Sequence, residues 1–451
     1  MPEPLDPFLA DVPTLAQIVV EHDNDVPSVN TNLPRPNPPG LGQSINFLFP
    51  WMASLQVHDR GTLLGSHKSN HNNAIIALTL APEWQGVFGY NEFDSRVWVR
   101  RKNGLMFIEP DEQVSDLHFA TLHQWFDKLN IEMTTEKLRL AVHTVASMPQ
   151  NKYHPVRAYL TSLPVWDGVP VLSTWLEYMF GAQGDPEYLS AIGQCWMRCA
   201  VARVMDPGCK ADNMLIIEGD QGIGKSMALR ALAGEWFTDQ ISSDLASVAA
   251  SHSLQGKWII ELSELAGVRK SEIEDIKAFV SRQADYYRKP YARQVEEVPR
   301  QCVLAGTTNI TDWLKDESGG RRFWPFFATK IKIDLIRQQR NQLWAEALWQ
   351  YQEGLPLHLD YNIGTKAKLE QSKRLEDDEW VELVETYMLG KDTATTQQIT
   401  TEMLGIPVGS VTTVQSRRLS GVMTRLGYVR VQVFRGGVNH RGYRRRVLVK
   451  T

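Results

Sequence analysis

Eight consecutive residues carry the most specific chemistry in this sequence: Gly219 to Ser226, GDQGIGKS, fit the spacing G-x-x-x-x-G-K-[ST] at every specified position. Glycines at 222 and 224 let the backbone turn successive N–H groups inward, making a nest for an anion at the start of a helix. Lys225 can reach the β- and γ-phosphates of a nucleotide, and the Ser226 hydroxyl can ligate Mg²⁺. The expected cradle is Gly219, Asp220, Gln221, Gly222, Ile223, Gly224, Lys225, Ser226 and Met227, with ATP and Mg²⁺ as ligands. A chance glycine turn is the bland alternative; the order strand, loop, helix around the motif argues against it.

Further residues behind the loop suit hydrolysis. About thirty residues on, GKWIIELSEL (Gly256 to Leu265) places acids at the C-terminal end of a short apolar strand, the end that borders ligands in an open α/β sheet. Glu261 or Glu264 can hold Mg²⁺ through a water, with Ser226, and polarise an attacking water; which acid does which stays open. A spacing of three is not the even spacing that shares one strand face, so Glu264 is expected past the strand, in the turn. QCVLAGTTN (Gln301 to Asn309) reads as another strand, with Asn309 at its end to meet the γ-phosphate or the attacking water. In DESGGRRFWPF (Asp316 to Phe326), Arg321 and Arg322 follow a pliable Ser-Gly-Gly and precede a stiff aromatic-proline segment. That arrangement suits an arginine presented to a neighbour's nucleotide.

Nucleic-acid chemistry shows at two places. Between Ala284 and Arg300, Tyr286, Tyr287 and Tyr291 interleave with Arg288, Lys289 and Arg293: cations to track phosphates, rings to stack on bases of a single strand. A plain surface hairpin is the alternative. Val411 to Thr451 holds ten Arg or Lys and no Asp or Glu. There, helices over Gln397 to Leu404 and Ser416 to Leu426 precede strand-like runs at Tyr428 to Phe434 and Tyr443 to Val449, around a loop at Arg435 to Gly442. That order resembles a winged helix, with Arg417, Arg418, Arg425 and Arg444 as DNA contacts.

The elements that position these residues follow from periodicity. Met214 to Ile217 and Trp258 to Ile260 are buried-strand runs, with Gln301 to Asn309 as the third strand. Leu138 to Val145, Val156 to Leu163, Leu172 to Phe180 and Tyr188 to Val204 repeat apolar residues at helical intervals, with Trp166, Trp175 and Trp196 as core anchors. Ser271 and Glu274 make a capping box for a helix to Arg282. Helices are expected over Ile333 to Glu353, with Leu335, Leu343, Ala347 and Trp349 in the core, and over Thr365 to Met388. His71 to Leu80 reads as a helix, and Val87 to Arg101 as a hairpin turning at Phe93 to Ser95, in a locally basic region. The expected division is a flexible arm (1–46), a small α+β domain (47–133), a helical collar (134–205), an ATPase core (206–330), a helical extension (331–390) and a winged helix (391–451).

With 48 Lys or Arg against 52 Asp or Glu in 451 residues, the chain is mildly acidic, so nucleic-acid surfaces must be local. No apolar run reaches the ~20 residues of a membrane span and no secretory leader is evident, so a cytoplasmic protein without membrane partners is expected. Cys195 and Cys199 fall one helical turn apart, and Cys209 and Cys302 stand alone, which favours reduced thiols over a zinc site.

The succession GDQGIGKS, WIIELSEL, AGTTN, GGRRFWP resembles the virulence-associated protein E family, phage- and island-encoded ATPases related to superfamily 3 helicases. HNNAIIALTLAPEWQGVFGYNEF, KYHPVRAYLTSLPVWDGVP and GCKADNMLIIEGDQGIGKS look like the same family, so the resemblance runs from about His71 to Phe327. It implies an AAA+-type parallel sheet in an α/β fold, a homo-oligomeric ring (a hexamer), and ATP-driven translocation on single-stranded DNA in a bacterial host. Lys225 and Ser226 would be its phosphate-loop pair, Glu261 and Glu264 its acids, and Asn309 its sensor. Arg321 or Arg322 would act in trans, with Lys289 and Arg288 on a channel hairpin. Larger relatives carry a primase domain; no acid triplet or zinc cluster for one is evident here. The expectation is a DNA helicase that also meets duplex or origin DNA through its tail. Its rivals are an ATP-dependent initiator that does not unwind, a primase–helicase and a small-molecule kinase.

Overall fold

The computed structural model describes residues 49–59, 66–102, 110–242, 244–265, 270–288, 294–314, 320–375, 379–407, 409–435 and 437–446. The arm expected at 1–46, together with Lys289, Tyr291 and Arg293, lies outside them. Contacts divide the chain into two compact units, one of residues 1–158 and one of nearly everything from 159 on.

In the first unit, α1 (His71–Leu80) is capped by the Asn70 side chain, which accepts from the Asn73 amide. The hairpin β1 (Phe88–Asn91) and β2 (Arg96–Val99) turns where expected: Asn91 and Asp94 accept backbone amides two residues on, and Ser95 takes a φ of 57°. Helices α2 (Asp116–Lys128) and α3 (Thr135–Ala146) and the short β3 (Lys152–Tyr153), parallel to β1, complete it. Trp51, Trp84, Trp125 and Phe126 pack ring on ring in its core. The region's arginines are engaged: Arg100 lies 3.5 Å over the Tyr153 ring, Arg96 donates to Gln113 and Arg101 to the Pro82 carbonyl. The stretch expected as a collar at 134–205 is divided, because the apolar face of α3 (Leu138, Ala141, Val142, Val145) is buried in this unit's core.

Past α4 (Pro155–Ser162), the second unit is built on a sheet of six strands. Its N-terminal part contains α5 (Trp175–Phe180), β4 (Ala182–Gln183), α6 (Pro186–Met205), β5 (Met214–Glu218), α7 (Lys225–Ala233), β6 (Phe237–Thr238), α8 (Val248–Ser253), β7 (Ile259–Leu262) and α9 (Lys270–Val280). The hairpin β8 (Ala284–Tyr287) and β9 (Glu296–Pro299) follows, then β10 (Val303–Thr308), β11 (Phe323–Ala328), α10 (Ile333–Gln352) and α11 (Tyr361–Ser372). The sheet order is β4-β11-β5-β10-β7-β6, parallel except for β4. All residues of β5 and β10 are buried, which is why they read as unbroken runs. Indole N–H groups tie the layers together: Trp196 of α6 donates to Leu304 O of β10, Trp258 beside β7 to Ala200 O of α6, and Trp344 of α10 to Leu232 O of α7, at 2.8–3.0 Å. Trp175 and Trp196 are buried as expected; Trp166 is half-buried against Trp349, 4.6 Å away.

The last part comprises α12 (Glu379–Met388), β12 (Thr393–Thr395), a short helix Thr396–Gln398 running into a π turn Ile399–Met403, α13 (Thr413–Arg425), β13 (Tyr428–Arg435) and β14 (Val438–Arg445). The loop expected from Arg435 to Gly442 is shorter, since the second strand starts at Val438 behind Gly437 at φ 81°. The helix expected over Thr365 to Met388 is two helices, parted where Leu375 bridges to Leu314. Helix α9 starts before Ser271, so its N-cap is not Ser271. No helix among the described residues is long and apolar enough to cross a membrane.

Candidate functional site

Glu218 ends β5, and the loop to α7 turns on three glycines with positive φ: Gly219 (145°), Gly222 (83°) and Gly224 (96°). Gly219 is required twice over, because a Cβ there would run into the Ala328 carbonyl of β11. Asp220, Gln221 and Gly222 are exposed at the tip, Ile223 is half-buried, and Met227 is an exposed residue of α7's first turn. Gly224 caps α7, so Lys225 is the helix's first residue.

Lys225 is buried, and its Nζ donates to Gly219 O (2.7 Å), Asp220 O (2.8 Å) and Asn309 Oδ1 (2.8 Å). Burial holds its ammonium below the ordinary lysine range, while Asp220 and Glu261 pull it back up. The motif lysine and the residue after β10 thus meet, 84 positions apart.

Glu261, on β7, is fully buried. Its Oε1 accepts from the Ser226 hydroxyl (2.8 Å) and the Thr307 hydroxyl (2.6 Å). Its Oε2 is buried without a hydrogen-bond partner among the described residues. A buried carboxylate oxygen left without a donor is costly. A hydrated cation beside Ser226 would satisfy it, so the donor set fits Mg²⁺. Glu264 lies past the strand, exposed, with a φ of 57° that non-glycine residues seldom adopt. The two acids therefore differ: Glu261 is a buried carboxylate held by two hydroxyls, and Glu264 an exposed residue in a left-handed backbone conformation.

Thr307 is the residue the sequence left without a role. Ala305 pairs with Glu261 across β10 and β7, and Thr307, two residues on, projects from the same face. The even spacing from that register was the available signal, but it needs the strand pairing to be known.

Arg321 and Arg322 are not in this cluster. Phe323 pairs with Met214 and Phe327 with Glu218, so the turn Gly320–Arg322 stands at the end of the sheet away from the phosphate loop. At ~3.3 Å per residue the intervening strand spans roughly 13 Å. Arg321 is exposed; Arg322 is half-buried, its Nε donating to Ser281 Oγ at 2.5 Å.

Tyr286 is exposed on β8 opposite Glu297 of β9, and Arg288 is exposed just past the end of β8. The hairpin's base is anchored where Arg300 makes a paired contact with Asp285 (2.7 and 2.8 Å) and donates to Phe279 O (2.6 Å). In the tail, Arg417, Arg418, Arg425 and Arg444 are all exposed, and Arg418 lies 4.3 Å over the Trp380 ring. The four cysteines are free, and no group of three or more His, Cys, Asp or Glu side chains placed to hold a metal ion occurs among the described residues.

Residues 160–376 match the model of the virulence-associated protein E-like domain. The match begins later than the likeness noted above, and it continues through α10 and α11. No curated protein matches the chain. Among solved structures, similar ones include the A form apo structure of the NrS-1 C-terminal region, at 13% identity and a TM-score of 0.42. It covers 79% of this chain and 95% of that one. Another apo structure of the NrS-1 C-terminal region (305–718) stands at 14% identity and a TM-score of 0.41, with the same coverage of both chains.

Proposed function

Because this chain belongs to the virulence-associated protein E family through residues 160–376, we propose that it is an ATP-driven DNA helicase serving replication of a phage or mobile element in the host cytoplasm. On this reading its sheet is of the AAA+ type, its working form is a homo-oligomeric ring (a hexamer), and its tail is a winged helix that meets duplex or origin DNA. The observation that carries the reading is the cluster of Lys225, Ser226, Glu261 and Asn309, drawn from three separate chain segments, with Lys225 bonded to Asn309 and Ser226 to Glu261 at 2.8 Å.

The loop amides and Lys225 bind the phosphates of ATP. Ser226 and Glu261 would hold Mg²⁺, which would neutralise charge on the phosphate oxygens when bound. Glu264 orients and deprotonates the attacking water, and Asn309 holds the γ-phosphate end in line. Arg321 or Arg322 reaches the nucleotide of an adjacent copy, which suits their place at the far end of the sheet and stabilises charge on the departing phosphoryl group. The hairpin bearing Arg288, Lys289 and Arg293 tracks single-stranded DNA, and Arg417, Arg425 and Arg444 bind duplex phosphates. Arg418, engaged with Trp380, props α13 against α12.

Turnover with and without single-stranded DNA, alongside strand release from a forked duplex, tests this. DNA-stimulated hydrolysis coupled to strand release, both abolished in Lys225→Ala, is expected. ATP-dependent DNA binding without strand release would replace the helicase with an initiator.

A further inference from the structure

At the end of the sheet away from the phosphate loop, the turn Gly320–Arg322 and helix α11 border a cavity of about 560 Å³. Arg321, Arg322 and Lys368 bring three cationic side chains to it, Gln371 and Ser372 add polar ones, and no carboxylate is among its described lining residues. Like charges sharing one cavity repel each other, and an anion placed among them relieves that repulsion.

The walls are fixed rather than loose. The Gln371 side-chain amide donates to Phe323 O (2.8 Å), the residue after Arg322. Three positions on, Arg374 grips the buried Glu218 of β5 (2.8–3.0 Å). The C-terminal end of α11 is therefore pinned to the strand that follows the arginine pair, and the residues just past it to the strand that feeds the phosphate loop. Lys368 and Arg321 are exposed at the mouth. The chain's own phosphate loop lies at the opposite end of β5, so a nucleotide bound there does not supply the anion.

We propose that Lys368 joins Arg321 and Arg322 in a site for the phosphate tail of a nucleoside triphosphate held by an adjacent copy of this chain. The proposal rests on the ATP-hydrolysing reading above and adds a residue to it, one contributed by α11 rather than by the arginine-bearing turn. Arg fixes geometry through its planar fork; the lysine contributes a compact charge on a long stem.

The test uses full-length protein and mixed oligomers. Lys368→Ala should lower turnover roughly tenfold or more, with affinity for a fluorescent ATP analogue and melting temperature unchanged, and Lys368→Arg should restore most of the loss. Mixing Lys368→Ala with Lys225→Ala should then recover turnover. At some junctions an intact phosphate loop from the first faces an intact Lys368 from the second. Normal turnover in Lys368→Ala, with the wild type active, overturns the proposal and leaves the ATPase reading standing. Loss that mixing does not recover also overturns it, by assigning Lys368 to its own chain's site or to a free anion. A wild type that hydrolyses no ATP overturns the reading and the proposal together.

Discussion

Glu261 is held at one oxygen by two hydroxyls, leaving the other oxygen buried with no hydrogen-bond partner among the described residues. The sequence announced Ser226 through its place in a motif, and Glu261 through its place at a strand end. Thr307 could not be read that way, since its role exists only once β10 lies beside β7 in the observed register. Thr307→Val keeps the shape and removes one donor from Glu261 Oε1. Supporting donors of this kind are worth about 10–100-fold in metal affinity or activity. The expected outcome is that the Mg²⁺ concentration for half-maximal turnover rises about tenfold or more, while nucleotide binding without metal is unchanged. An unaltered Mg²⁺ dependence would show that Ser226 alone orients the carboxylate. Glu264 was expected past the strand, and the structure adds its positive φ; a period-two argument fixes which side of a strand a residue leaves, not how the next turn bends.

Among the elements, α11 departs most from expectation. Its apolar spacing continues toward α12, so the sequence reads as a single long helix. The break comes from long-range contacts: Leu375 bridges to Leu314, and Arg374 turns inward to Glu218, which also accepts from the Trp313 indole at 2.8 Å. Arg374 also bonds Glu370 one turn back. Glu218 is wholly buried, so its charge is tolerable only with these donors. Arg374→Met should cost about 3–5 kcal/mol in equilibrium urea unfolding, and the double variant Glu218→Gln/Arg374→Met should recover much of it. A single-variant cost under about 1 kcal/mol would mean the pair contributes no more than a surface ion pair. The strands, by contrast, were legible, because the central strands of a parallel sheet bury both faces and open on apolar runs, with Glu218, Thr307 and Thr308 only at their C-terminal ends.

For the whole molecule, the local patterns identified most helices, the hairpins and the core strands. Division into two compact units depended on which helices shared a core, and α3 went to the first unit because its apolar face is covered there. The proposed reaction extends past one chain: Lys225, Ser226, Glu261 and Asn309 form one half of a site, while Arg321, Arg322 and Lys368 stand at the far end of the same sheet. The two halves can meet only between copies. The most direct test is ATP turnover per protomer, with Mg²⁺ and single-stranded DNA, followed over a range of protein concentration with light scattering on the same samples. The account predicts turnover that climbs from near background to a plateau as copies assemble. Full turnover from a strictly monomeric protein would contradict it.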